Sequence, residues 1–146
     1  MAKFRYFELN EFLDSSVAKN RKIDNTPTFE VVDNLCSLVK EILDPLREAW
    51  GGGLNITSGY RSPRLNNAVG GVRNSVHMLG YAADVVPVDG RTEEFMAFAE
   101  AWLKRNGVAF DQSIREKDRR GNVWWHIAIR GNGGTQRRQM LALIKK

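Results

Sequence analysis

Apolar residues recur along this chain with two different periods, and the changes of period divide it into elements. Phe7-Glu8-Leu9-Asn10-Glu11-Phe12-Leu13 reads as an extended arm entering a short helix, with Asn10 as its cap. Lys19 to Asn25 is polar and reads as loop, after which Thr26-Pro27 offers a cap and a proline at the first helical position. Val31, Val32, Leu35, Leu38, Val39, Ile42, Leu43 and Leu46 then repeat at helical spacing. Pro45 interrupts this long amphipathic helix, so a kink is expected there, with Asp44 capping the continuation to about Trp50. Gly51-Gly52-Gly53 ends it.

The second part of the chain begins with a short strand, Leu54-Asn55-Ile56-Thr57. Ser62-Pro63 opens one or two helical turns that carry Arg64, Leu65 and Asn66, and Gly70-Gly71 closes them. Val85-Val86-Pro87-Val88 reads as strand. A helix capped by Thr92 follows, with Glu93 and Glu94 in its first turn, where negative charge suits the macrodipole. Its inward stripe is Phe95, Phe98, Ala99, Trp102 and Leu103, and Gly107 stops it. Two strands, Val108 to Glu116 and Val123 to Arg130, are joined by a basic turn, and the tail from Thr135 to Lys146 reads as helix with Met140, Leu141 and Ile144 inward. The order of elements predicts a single α+β domain over 1–146, a small, mostly antiparallel sheet flanked by helices.

Composition narrows this picture only a little. A chain of 146 residues can bury about 68–70% of its unfolded surface without staples. Its single Cys36 excludes an intramolecular disulfide and a cysteine-rich metal site, and its place in the apolar pattern marks it as a buried thiol. Lys plus Arg number 22 against 17 Asp plus Glu, a net +5 that suits an anionic partner such as nucleic acid or bacterial cell wall and specifies neither. Nucleic acid is not expected, because the positive charge is neither confined to one helix nor interleaved with exposed aromatics. No stretch approaches the ~20 apolar residues of a membrane span, and the first residues lack the apolar core of a signal peptide. Synthesis in the cytoplasm is therefore expected, with any work outside it depending on another exit route.

The chemistry concentrates in Asn74 to Asp84, where His77 and Asp84 stand at fixed spacing beside Gly80. The only other histidine is His126, within Val123-Trp124-Trp125-His126-Ile127-Ala128-Ile129. Alternation along that strand sends Val123, Trp125, Ile127 and Ile129 to the core and His126 to a cleft. Two histidines and one aspartate make three protein ligands, the number a catalytic zinc site uses when it leaves a fourth position open.

Ser75-x-His77-x2-Gly80-x-Ala82-x-Asp84, joined to the later Trp124-Trp125-His126, resembles the zinc D-Ala-D-Ala carboxypeptidase family of metallopeptidases, which includes phage endolysins. The closer likeness is to its short single-domain branch in bacteria and phages. Phe7-Glu8-Leu9, Leu43 to Arg47, Thr57 to Ser62, Asn66 to Gly71 and Phe110-Asp111-Gln112 extend it along nearly the whole chain. The resemblance implies a zinc site of the hedgehog and D-Ala-D-Ala-peptidase type held by His77, Asp84 and His126. It gives Arg61 the task of assisting substrate binding or steadying negative charge, against a plain structural ion pair. Ser75 either hydrogen-bonds substrate or caps its turn, and Trp124 either lines the cleft or packs.

One departure matters. Many members of that family carry a general-base glutamate three residues before the final histidine, where this chain has Val123. Glu116 is the candidate substitute. If Arg119-Arg120-Gly121 is a three-residue hairpin loop, Asp118 faces Asn122 and Glu116 faces Trp124, on the sheet face of His126. Asp118 is the weaker choice, and a solvated strand-end charge is the bland reading of Glu116.

Arg130, Arg137, Arg138, Lys145 and Lys146, with Arg115, Lys117, Arg119 and Arg120, are expected either as solvated surface or as a patch for anionic cell-wall polymer. Together these readings point to a monomeric zinc peptidase that cuts peptidoglycan stem or cross-link peptides, in the manner of a phage-type endopeptidase acting after release or from a phage particle. The alternatives are a D-Ala-D-Ala carboxypeptidase or dipeptidase, and a non-catalytic module that keeps zinc for stability.

Overall fold

The computed structural model describes residues 4–131 and 133–144. Five strands form one mixed sheet: β1 (Leu54–Ser58), β2 (Ala82–Pro87), β3 (Gln112–Lys117), β4 (Val123–Ala128) and β5 (Gln139–Ile144). Their spatial order is β1-β2-β4-β3-β5. All neighbours are antiparallel except β3 and β5, which run parallel. The α+β domain with a mostly antiparallel sheet is thus the fold found.

One face of the sheet is covered by helices. α1 (Ser16–Arg21) and α4 (Pro63–Ala68) lie elsewhere, and it is α2 (Phe29–Leu38), α3 (Asp44–Trp50) and α5 (Thr92–Arg105) that carry the main core. Leu35, Leu38, Ile42, Leu46, Phe95, Met96 and Ala99 pack there with Val85, Trp125 and Ile127 of the sheet. Trp125 is fully buried, edge-on to Phe95 at 5.6 Å, and its indole N–H donates to the Ser113 hydroxyl at 2.7 Å. That bond satisfies the one polar atom the ring carries into the core.

α2 and α3 are joined without a break by a π turn, Val39–Leu43. Pro45 has no N–H to give back to the preceding turn, and a wider turn immediately upstream makes room for its ring. The expected kink therefore takes the form of a local change of helix type. Asp44 does not cap. Its carboxylate accepts the backbone N–H groups of Arg5 and Tyr6, at 2.8 and 3.0 Å, and ties the N-terminal arm to α3.

Other boundaries shift for identifiable reasons. The long helix is capped by Thr28, whose hydroxyl accepts from Val31 N, rather than by Thr26, whose hydroxyl bonds the Asp24 carboxylate instead. Ser15 caps α1, whose last turn, from Lys19 to Arg21, occupies the start of the segment expected as loop. The first turn, Leu9–Phe12, is capped at Glu8 and not at Asn10, and Arg91, not Thr92, stands at the cap of α5. Cys36 is half-buried.

The largest departure is the tail. Gln139–Ile144 is strand β5 and not helix, although its residues favour helices in isolation. Arg138 sits at φ 54, a left-handed turn that breaks helical continuity, and its N–H bonds Phe110 O at 3.0 Å. Gln139 N then bonds Asp111 O at 2.9 Å, which starts the ladder along the open edge of β3. Non-local pairing overrides propensity here. Lys145 and Lys146, expected in that helix and in the basic patch, lie outside the described residues.

Candidate metal centre

Each member of the candidate triad comes from a different element. Asp84 and His126 are direct register partners on β2 and β4. His77 stands in the 3-10 turn Val76–Leu79, which the Ser75 hydroxyl caps by accepting His77 N at 3.2 Å. All three side chains are buried, on the sheet face opposite the helices.

His77 Nδ1 lies 2.8 Å from the carbonyl oxygen of Gly59. A carbonyl only accepts, so Nδ1 carries the proton and Nε2 presents its lone pair inward. Nε2 is 3.3 Å from His126 Nδ1 and 3.4 Å from Asp84 Oδ1, and His126 Nδ1 is 3.0 Å from that same oxygen. Zinc bonds of about 2.0–2.1 Å at tetrahedral angles place neighbouring donors roughly 3.3 Å apart. The three atoms therefore stand as corners of a tetrahedron of that size, and the donor set fits the ion. Among the described residues they are also the one group of this kind able to hold a metal.

The ionisation of the triad agrees with that role. Burial pushes the His77 imidazolium below its usual range, with Arg61 and His126 adding to the effect against Asp84. Burial would raise the Asp84 carboxyl, but the charge and hydrogen bonds of the two imidazoles outweigh it and hold it well below the usual carboxylate range. A carboxylate and a neutral imidazole are the forms that ligate.

Glu116 is reached through the β3–β4 hairpin. Glu116 pairs with Trp124 and Lys117 with Val123, and Asp118 N donates to Asn122 O across the turn. Gly121 takes φ +87, the left-handed conformation the loop needs. This is the register expected from the sequence. It leaves Glu116 buried with Oε1 3.9 Å from His126 Nδ1. Val123 is on the opposite face, packed against the core, so no side chain at that position in this register points to the triad. Asp118 accepts from Arg120 N, Asn122 N and the Asn122 amide, and is occupied in holding the turn.

A family model for Peptidase M15 matches residues 5–116, well over half of the chain. The chain belongs to the Peptidase M15 family. His77, Asp84, Arg61 and Glu116 fall within the matched stretch and His126 beyond it. M15 proteins are zinc peptidases, so this M15 chain is a peptidase whose His-Asp-His cluster is of the kind such enzymes use. No curated protein matches the chain.

Around the triad the M15 chain forms a two-lobed cleft. One lobe, of about 760 Å³, is bordered by Glu11, Asp14, Asn55, Thr57 and Trp124. The other, of about 440 Å³, holds His77 and His126 with Val72, Ile114, Leu141 and Leu143. Arg61, Gly71, Asp84 and Glu116 line both. Arg61 makes no ion pair among the described residues; burial lowers its pKa, while the negative charge of Asp84 and Glu116 opposes that. The alternative of a structural ion pair is therefore not what is found. Ser75 caps its turn and also borders the smaller lobe.

The expected basic patch is partly neutralised. Arg115 pairs with Glu100 and Glu93, Arg137 with Asp111, and Arg130 with Glu41. Sequence reasoning missed three contributors to the site. The Gly59 carbonyl carries no side-chain signal, and Leu141 and Leu143 were assigned to a helix.

Proposed function

We propose that this M15 peptidase is a zinc-dependent endopeptidase that hydrolyses stem or cross-link peptides of peptidoglycan, as a phage-type lytic enzyme does. It rests on the family's peptidase chemistry. The observation that carries the endopeptidase reading is the pair of open lobes that meet at Asp84, Arg61 and Glu116. A peptide can therefore extend in both directions from the bond being cut, whereas a carboxypeptidase or dipeptidase needs a closed end.

His77, Asp84 and His126 would hold the zinc. Bound there, zinc supplies a Lewis acid and lowers the pKa of a coordinated water towards ~7. Glu116 accepts the proton of the attacking water and returns it to the leaving amine, a task for a carboxylate within reach of that position. Arg61 holds the negative charge that grows on the carbonyl oxygen; its guanidinium is planar, permanently charged and not paired to any described carboxylate. Trp124 borders the larger lobe, where its ring offers a flat apolar surface to the peptide. The enzyme acts as a monomer and meets the wall after release from the cell or as part of a phage particle.

The sequence leaves a second reading, a non-catalytic domain that keeps zinc for stability, because no carboxylate stands three residues before His126. Digestion of purified peptidoglycan by the zinc-loaded protein, with fragments identified by mass spectrometry and a chelated sample alongside, separates the two. New amino termini that depend on metal establish the enzyme and name the bond. Intact wall and intact small D-Ala-D-Ala peptides, with zinc bound one to one, would leave only the second reading.

A further inference from the structure

β5 presents alternate residues to two faces. Met140 packs towards the main core, while Leu141 and Leu143 stand in register with Ile114 and Glu116, on the side of the cleft. They remain 38% and 46% exposed. Exposed leucines on the outermost strand of a sheet invite association, and edge strands ordinarily carry charge instead. Here both border the smaller lobe beside His126, with Ile114 on the strand between them and His126 and with Val72 and Val76 also lining the lobe.

Both lobes are mixed in character; in the smaller one Ile114, Leu141 and Leu143 are neighbours on β3 and β5 and set an aliphatic stretch beside the polar groups of the triad. Arg137 also borders the smaller lobe, but its Nε and Nη2 lie on the Asp111 carboxylate, each at 2.8 Å.

We propose that Ile114, Leu141 and Leu143 form an apolar subsite for the aliphatic side chain of the substrate residue next to the bond held at the triad. The inference rests on the peptidase reading and adds the side-chain class that the site selects. The family match ends at residue 116, so Leu141 and Leu143 lie outside the matched stretch.

The test uses the zinc-loaded protein with Leu141→Thr and Leu143→Thr, which keep strand propensity and remove apolar reach. The probes are blocked peptides, in L and D series, that differ only in one residue flanking the cleaved bond: alanine, leucine or asparagine. The parent should favour leucine over asparagine in kcat/KM by about ten-fold or more, in line with the value of added methylenes in an apolar pocket. The variants should bring that ratio to about one while changing the asparagine peptide less than about two-fold. Equal losses on every peptide, or an unchanged ratio, would overturn the subsite.

If threonine prevents folding, Leu141→Phe and Leu143→Phe should narrow the lobe and move the preference from leucine to alanine; an unmoved preference overturns it. If the parent cleaves neither these peptides nor the wall, the peptidase reading fails by itself. Calorimetric binding of the same peptides then decides the subsite. A leucine preference in affinity that the variants lose upholds it, and equal affinities or absent binding overturn it.

Discussion

Glu116 Oε1 lies 3.9 Å from His126 Nδ1, although the two residues are not register partners: His126 pairs with Ile114 and Glu116 with Trp124. Their closeness follows from the pleat, which sends every second residue of β3 and β4 to the same face. A carboxylate thus reaches the triad from the neighbouring strand, and the position three residues before His126, which faces the core, is not needed for it.

Glu116→Gln should therefore retain the fold and bind zinc one to one while slowing peptide hydrolysis by about 10²- to 10⁴-fold, the usual contribution of a general base. Parallel measurement of zinc stoichiometry and of fragment release from peptidoglycan checks this. Full activity in the glutamine variant would move the base elsewhere.

Metal should also appear in stability. Zinc at about a hundred times its Kd adds roughly 2.7 kcal/mol, which for a domain of this size raises Tm by about 5–10 °C. Chelation should reverse the rise, and Asp84→Asn should remove most of it. Calorimetric scans of the four samples give the comparison, and a zinc-independent Tm in the parent would contradict it.

Gly71 limits where Arg61 can lie. A Cβ at this position would meet Arg61 Nη1 at 2.7 Å and collide with Asn66 Oδ1, while Asn66 Nδ2 holds the same loop through Val72 O at 2.8 Å. Gly71→Ala should displace the guanidinium and lower kcat by about 10²-fold, close to the effect of Arg61→Ala, because both remove one charge-stabilising group. The double variant should lose little more, since the two changes act on one interaction. Additive losses would separate Gly71 from Arg61.

Asp111 joins β5 to β3. It is fully buried and accepts Arg137 N, Nε and Nη2 at 3.1, 2.8 and 2.8 Å. Burial alone would raise its carboxyl, but the Arg137 hydrogen bonds and charge outweigh that and lower it. The folded pKa is thus below the unfolded value of about 3.9, so this stabilisation is complete above that pH and lost as pH falls through the folded value. Protection of the β5 amides, relative to their intrinsic exchange, should fall below about pH 4, and Asp111→Asn should cause the same loss at neutral pH, at roughly 1–3 kcal/mol. Unchanged protection of residues 139–144 in the variant would show that the ladder holds without the pair.

Much of this was legible because it is periodic. The stripes of α2, α3 and α5, the alternation in β4 and the three-residue turn at Gly121 are local signals, and they were enough to place Glu116 on the face of His126. The tail was not legible. Gln139 to Ile144 prefers helix by composition, and what makes it a strand is a vacant edge on β3 and a buried Asp111, features that exist only after folding. The wrong period concealed Leu141 and Leu143 as part of the cleft. Caps failed more modestly, because Thr26 and Asp44 each found a competing partner, Asp24 and the N-terminal arm.

The register pairing of Asp84 with His126 has one more consequence. A slip of one residue between β2 and β4 would turn His126 towards the helices and leave Asp84 opposite an apolar side chain. The triad would then disappear without any change of sequence. Metal occupancy is thus a check on strand alignment: chains that have paired correctly are selectively drawn off by zinc, and misaligned ones gain nothing from it.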